Sequence, residues 1–253
     1  MDFISQMDVI WLGFCGSLAA GLATGLGAVP SFAIRNISPK VMDALLGFSA
    51  GIMLAATSFS LVLPSIELGG PLVASLGFIL GGFFLATANW LTPHIHSLSS
   101  SGGLSPNISR VWLFVLAITL HNFPEGMSVG VSFGKGDFRE AMALAMGIGF
   151  QNMPEGLATA LALARDGYLP AKAFGYATLT GLVEPIGGLF GASVVTIAHS
   201  LLPWGLAFAG GAMLFVISNE IIPETHRGGN PREATFGVLI GFVVMTLFDN
   251  LFN

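Results

Sequence analysis

The chain has 253 residues, of which 53% are hydrophobic and 9% charged, where a soluble domain carries about 25% charged residues. Nine Lys and Arg stand against fourteen Asp and Glu, with a single cysteine, Cys15. These figures exclude an ordinary soluble enzyme, a disordered chain, a nucleic-acid binder (which needs a basic face), an internal disulfide framework and a Cys-based zinc cluster.

What remains is an all-α membrane protein. A bilayer-spanning helix needs about 20 mostly apolar residues. Eight such stretches are predicted, at about 9–34, 41–64, 71–91, 110–133, 140–164, 172–198, 203–223 and 233–251. The first is too long for a signal peptide, lacks a positive n-region and is preceded by Asp2 and Asp8. The apolar runs are continuous and not alternating, so they read as helices and not as a barrel. Together they predict one polytopic transmembrane domain over 1–253. The longest connection, Thr92 to Ser109, is Ser/Gly-rich and reads as flexible.

Loop charges predict the orientation. Arg35, Lys40, Arg110, Arg165, Lys172, Arg227 and Arg232 fall on one side, and only Lys135 and Arg139 on the other. Both termini are therefore expected outside the inner membrane, with His94 and His96 in a cytoplasmic connection. Glycines four apart recur at Gly21/Gly25, Gly47/Gly51, Gly77/Gly81, Gly126/Gly130, Gly187/Gly191 and Gly237/Gly241. Small residues at this spacing allow close helix packing.

No Lys or Arg falls well inside a span, but Glu125, Glu155 and Glu184 each lie near the middle of one. A charge at that depth costs about 2.5–3.5 kcal/mol on the lenient insertion scale. One such Glu is often a neutral, hydrogen-bonded carboxyl. Three at one depth with no basic partner are most simply balanced by a bound metal cation.

The flanking residues sharpen this reading. Span 4 contains His121-Asn122-Phe123-Pro124-Glu125-Gly126, and span 5 contains Gln151-Asn152-Met153-Pro154-Glu155-Gly156, thirty residues later and different at two of six positions. Consecutive spans run in opposite directions, so the repeat is inverted, as in many secondary transporters. Residues i and i+3 or i+4 share a helix face, so His121 and Asn122 flank Glu125, while Gln151 and Asn152 flank Glu155. Pro124 and Pro154 offer no N–H to the carbonyls of Leu120 and Phe150, and a kink is expected at each. Span 6 adds Glu184-Pro185. Met53 lies near the centre of span 2, where a thioether is either a soft ligand or a gap filler.

These motifs resemble the ZIP (Zrt/Irt-like) divalent metal transporters, in particular the bacterial GufA-type branch. The resemblance covers essentially the whole chain and extends to Ser218-Asn219-Glu220-Ile221-Ile222-Pro223-Glu224-Thr225-His226 at the end of span 7. It implies a mid-membrane site of two metals. Met53, His121, Glu125, Gln151 and Glu155 would hold the first, and Asn122, Asn152 and Glu184 the second, with Glu125 and Glu155 bridging. It also implies import into the cytoplasm by movement of spans 1, 4, 5 and 6 against 2, 3, 7 and 8. The chain departs from the family where Gln151 stands for a common His and Asn152 for an occasional Asp. Both are neutral ligands, so three Glu face the charge of two divalent ions and the second position is weakened.

Imidazole with carboxylate and amide oxygens suits zinc foremost, and also iron, manganese, cobalt or cadmium. Zn²⁺ or another such ion is expected as bound substrate, with no prosthetic group. The expected partners are divalent metal ions and the lipid bilayer, with a homodimer as a further expectation. Asn219, Glu220, Glu224 and His226 are candidates for an exit pathway, and Glu67 for the entrance. Two rival functions use the same residues. An intramembrane metalloenzyme would be marked by His-Glu-x-x-His, which is absent. A proton-linked carrier of another solute would use the three Glu as a relay.

Overall fold

The computed structural model describes residues 3–34, 36–99 and 106–252, and the side chains within them except those of 3–7, 91–99, 106–114, 117, 227 and 252. Every described element is helical. Helix α1 (Phe3–Ala28) ends in a 3₁₀ turn, Val29–Phe32. Helix α2 (Pro39–Ala55) passes through a π-helical segment, Ala56–Val62, into α3 (Leu63–Ser99). Then come α4 (Pro106–Gly134), α5 (Phe138–Arg165), α6 (Pro170–Gly181) and α7 (Glu184–Ile197). A 3₁₀ turn, His199–Leu201, leads into α8 (Leu202–Val216), which continues through a second π-helical segment, Ile217–Ile221, into α9 (Ile222–Arg227). Helix α10 (Pro231–Phe252) closes the chain.

Local chemistry sets the boundaries. Ser38 caps α2 by accepting from the Val41 N–H at 3.4 Å, and Pro39 occupies its first turn, where a missing N–H costs nothing. Asp137 caps α5 by accepting from the N–H groups of Arg139 (2.9 Å) and Glu140 (3.2 Å). Within α3 the helical path breaks at Gly70, whose φ of 79° is open to glycine and strained for other residues.

Five stretches are long and apolar enough to cross a membrane: Asp8–Phe32, Pro39–Trp90, Pro170–Ile197, His199–His226 and Pro231–Leu251. The chain is a multi-pass membrane protein. Pro39–Trp90 is 52 residues long and contains the break at Gly70. Helices α4 and α5 are not among the five; their apolar sequence is interrupted by the polar residues described below. The stretch expected as span 6 is two helices, because α6 stops at Gly181 and α7 begins at Glu184. The connection expected from Thr92 is also shorter. Helix α3 runs to Ser99, so His94 and His96 stand on its last turns, with their side chains outside the described residues. Serine weakens a helix by only a few tenths of a kcal/mol, too little to end one already propagating.

The helices sort into two groups. Helix α1 packs along α4, α5, α6 and α7, while α2 runs along α10 and α3 along α8. The groups meet mainly where α2 lies on α5 and α8 on α4. Glycines make the close contacts: a Cβ on Gly47 or Gly51 would overlap the carbonyls of Ala234 or Val238, and one on Gly237 or Gly241 those of Ala44 or Phe48. Ile52, Leu61, Leu144, Ile148, Met213, Ile217 and Met245 fill the core at the meeting line. Leu72, Ile79 and Phe83 on α3, and Leu239, Ile240 and Val243 on α10, are exposed apolar side chains. An apolar exterior around a polar interior suits a lipid solvent.

Candidate metal centre

All eight expected metal-site residues are buried side chains: Met53, His121, Asn122, Glu125, Gln151, Asn152, Glu155 and Glu184, none more than 2% exposed. Helices α4 and α5 continue through Pro124 and Pro154, placing one matched motif on each. The glycine ending each motif is a point of closest approach. A Cβ on Gly126 would overlap the backbone of Glu184, and one on Gly156 the backbone of Thr24 in α1. Gly126 thus brings the start of α7 against Glu125, and Gly156 brings α1 against Glu155.

The backbone at both glutamates is held in the same way. Ser128 Oγ donates to the Glu125 carbonyl at 2.6 Å, and Thr159 Oγ1 donates to the Glu155 carbonyl at 2.8 Å. On α5 the carbonyl of Gln151 accepts from Ser49 Oγ of α2 at 2.7 Å. Glu184 opens α7 with Pro185 beside it. A carboxylate there faces the positive end of the helix dipole, and the proline costs no hydrogen bond.

His121 joins three helical segments. Its Nε2 lies 3.8 Å from Glu155 Oε2, and its Nδ1 lies 3.3 Å from Glu220 Oε2. Glu125, Glu155 and Glu184 are within electrostatic range of one another. Asn152 Nδ2 donates to Glu184 Oε1 at 2.6 Å and to the Ala20 carbonyl at 2.9 Å, while its own oxygen accepts from Gln151 Nε2 at 2.9 Å. Among the described residues, no three His, Cys, Asp or Glu side chains form a ready-made metal group.

Met53 is buried on α2, one turn beyond Ser49, the residue whose Oγ bonds to α5. Glu220, expected at an exit, stands in the second π-helical segment directly against His121. Asn219 and His226 are exposed, Glu224 is half-buried, and Glu67 is exposed. His226 Nδ1 lies 2.9 Å from the Ile222 carbonyl. One residue was missed by sequence reasoning: Asn89 of α3, whose Nδ2 donates to Glu220 Oε1 at 3.3 Å. A lone Asn near a span end carries no signal until its neighbour across the bundle is known.

The family model described as ZIP Zinc transporter matches residues 94–249. The chain is 49% identical to Zinc transporter GufA of Myxococcus xanthus, over 94% of this chain and 97% of that protein. It is 43% identical to Zinc transporter ZIPB of Bordetella bronchiseptica, over 92% of this chain and 79% of that one. It is 32% identical to Zinc transporter ZIP11 of Homo sapiens, over 89% and 93%. With a family-model match over most of its length and relatives aligned nearly end to end, the chain belongs to the ZIP zinc transporter family.

Proposed function

We propose that the chain carries divalent transition-metal ions, zinc foremost, across the inner membrane into the cytoplasm. One observation carries this reading. Buried polar atoms without a hydrogen-bond partner collect on α4, α5 and α7: His121 Nε2, Asn122 Nδ2, both oxygens of Glu125, Gln151 Oε1, Glu155 Oε1 and Glu184 Oε2. No Lys or Arg is among the buried residues described. An unsatisfied buried polar group costs about 1–3 kcal/mol, and a charged one more. A divalent cation satisfies several of these atoms at once and supplies the missing positive charge. Borderline imidazole with hard oxygen donors suits Zn²⁺, Fe²⁺, Mn²⁺, Co²⁺ or Cd²⁺.

In this reading Met53, His121, Glu125, Gln151 and Glu155 hold the ion, with Asn122, Asn152 and Glu184 around an adjoining position. The protein is a single domain of eight spans, the 52-residue stretch divided at Gly70 counting as two and α4 and α5 adding the last two. The charge bias of the loops supports both termini outside. The packing of α1 with α4–α7, apart from α2, α3, α8 and α10, supports movement of one group against the other. Glu67 then lies toward the entrance, and Asn219, Glu220, Glu224 and His226 toward the exit. The test is purified protein in liposomes loaded with a zinc-sensitive dye. Metal-dependent dye response inside is expected, and no response to any of these metals would overturn the proposal.

A further inference from the structure

We infer that Asn152 closes the second metal position, so that this chain carries one ion at a time; the inference rests on the metal site proposed above. Which atom of the Asn152 amide is the nitrogen is settled by a neighbour that can only accept. One amide atom lies 2.9 Å from the carbonyl oxygen of Ala20, so that atom is the donor. The same nitrogen lies 2.6 Å from Glu184 Oε1. The amide therefore turns a donor, and not a ligand atom, toward the carboxylate.

Its ligand atom faces Gln151 and not Glu184. An amide binds a cation through oxygen, and Asn152 Oδ1 accepts from Gln151 Nε2 at 2.9 Å. Asn152 thus ties α1, α5 and α7 together with both ends of its amide in use. For Glu184 and Asn152 to grip an ion between them, the bonds to Glu184 and Gln151 must both break and the amide must leave the Ala20 carbonyl. The same network leaves Gln151 Oε1 without a protein partner, free for an ion at the position of His121, Glu125 and Glu155. Asn152 thereby closes one position and orients a ligand for the other.

Charge points the same way. Glu125, Glu155 and Glu184 supply three negative charges, and the fourth carboxylate nearby, Glu220, is committed to His121 Nδ1 at 3.3 Å and does not face Asn152. Aspartate at position 152 would reverse each effect. It would set a second carboxylate against Glu184, an arrangement that repels unless a cation lies between them, and it would add a negative charge at the second position itself.

The experiment counts ions. Purified full-length protein is stripped with chelator and dialysed against Cd²⁺, and bound metal per chain is measured by mass spectrometry, with size-exclusion profiles reporting folding. The expected counts are one for the unaltered chain, two for Asn152→Asp and one for Glu184→Gln. Two ions on the unaltered chain, one of them lost in Glu184→Gln, would overturn the inference and leave the metal site standing. A folded Asn152→Asp protein that still binds one ion would also overturn it. If Asn152→Asp does not fold, the first and third counts decide. No ion on any variant would overturn the metal-site proposal itself.

Discussion

His121 Nδ1 lies 3.3 Å from Glu220 Oε2, across the gap between α4 and the π-helical segment Ile217–Ile221. A carboxylate accepts, so Nδ1 carries a hydrogen toward Glu220, which leaves Nε2, 3.8 Å from Glu155 Oε2, as the nitrogen that would take the ion in the proposed site. Carboxylates that orient a metal-binding imidazole through its other nitrogen typically contribute about 10–100-fold in metal affinity. We predict that Glu220→Ala raises the KM for zinc uptake about tenfold or more while the protein still reaches the membrane. Asn89→Ala, which removes the 3.3 Å donor to Glu220, is predicted to raise it less. Liposome uptake over a range of zinc concentrations measures both, and an unchanged KM for Glu220→Ala would show that the contact does not orient the imidazole.

Removing a proposed ligand from the primary position has a larger effect. His121→Ala or Glu125→Ala is predicted to abolish uptake with membrane insertion retained, because each removes a donor on which the proposed primary position depends. Near-normal uptake in either variant, measured beside its membrane abundance, would remove that residue from the site.

The two kinds of glutamate are predicted to differ. Glu125 has both oxygens unpartnered, while one oxygen of Glu184 is engaged by Asn152. Glu184→Gln should therefore reduce zinc uptake less than Glu125→Gln does. Equal losses in parallel assays would contradict the ranking.

The motif glycines give a prediction about packing. A Cβ on Gly156 meets the Thr24 backbone and one on Gly126 meets the Glu184 backbone, whereas nothing lies within 4 Å of a Cβ built on Gly175. Overpacking of this kind costs about 1–3 kcal/mol. Gly126→Ala and Gly156→Ala are predicted to lower the midpoint of thermal unfolding in detergent, and Gly175→Ala to leave it unchanged or raise it. A thermal-shift series on the three variants checks this, and matching midpoints would mean the helices adjust without cost.

Much of this arrangement was legible from residues alone. The scarcity of charge announced a membrane protein, and its five apolar helical stretches agree. The repeated motif set Glu125 and Glu155 at matched positions of two helices, α4 and α5, because spacing along a helix determines which residues share a face. Spacing could not show that Glu184 begins a new helix at a break after Gly181, that His94 and His96 continue a helix, or that α2 and α8 pass into π-helical segments.

By itself, the sequence determined the solvent of this protein and the polar side-chain types it buries, since apolar runs and uncompensated carboxylates act through composition and local periodicity. Tertiary structure alone decided which of those groups meet. Glu220 is 99 residues from His121, Ala20 is 132 from Asn152, and Asn89 is 131 from Glu220. Such contacts depend on how closely helices approach. That is set where a missing Cβ lets one backbone rest on another, as Gly126 does at Glu184 and Gly156 at Thr24.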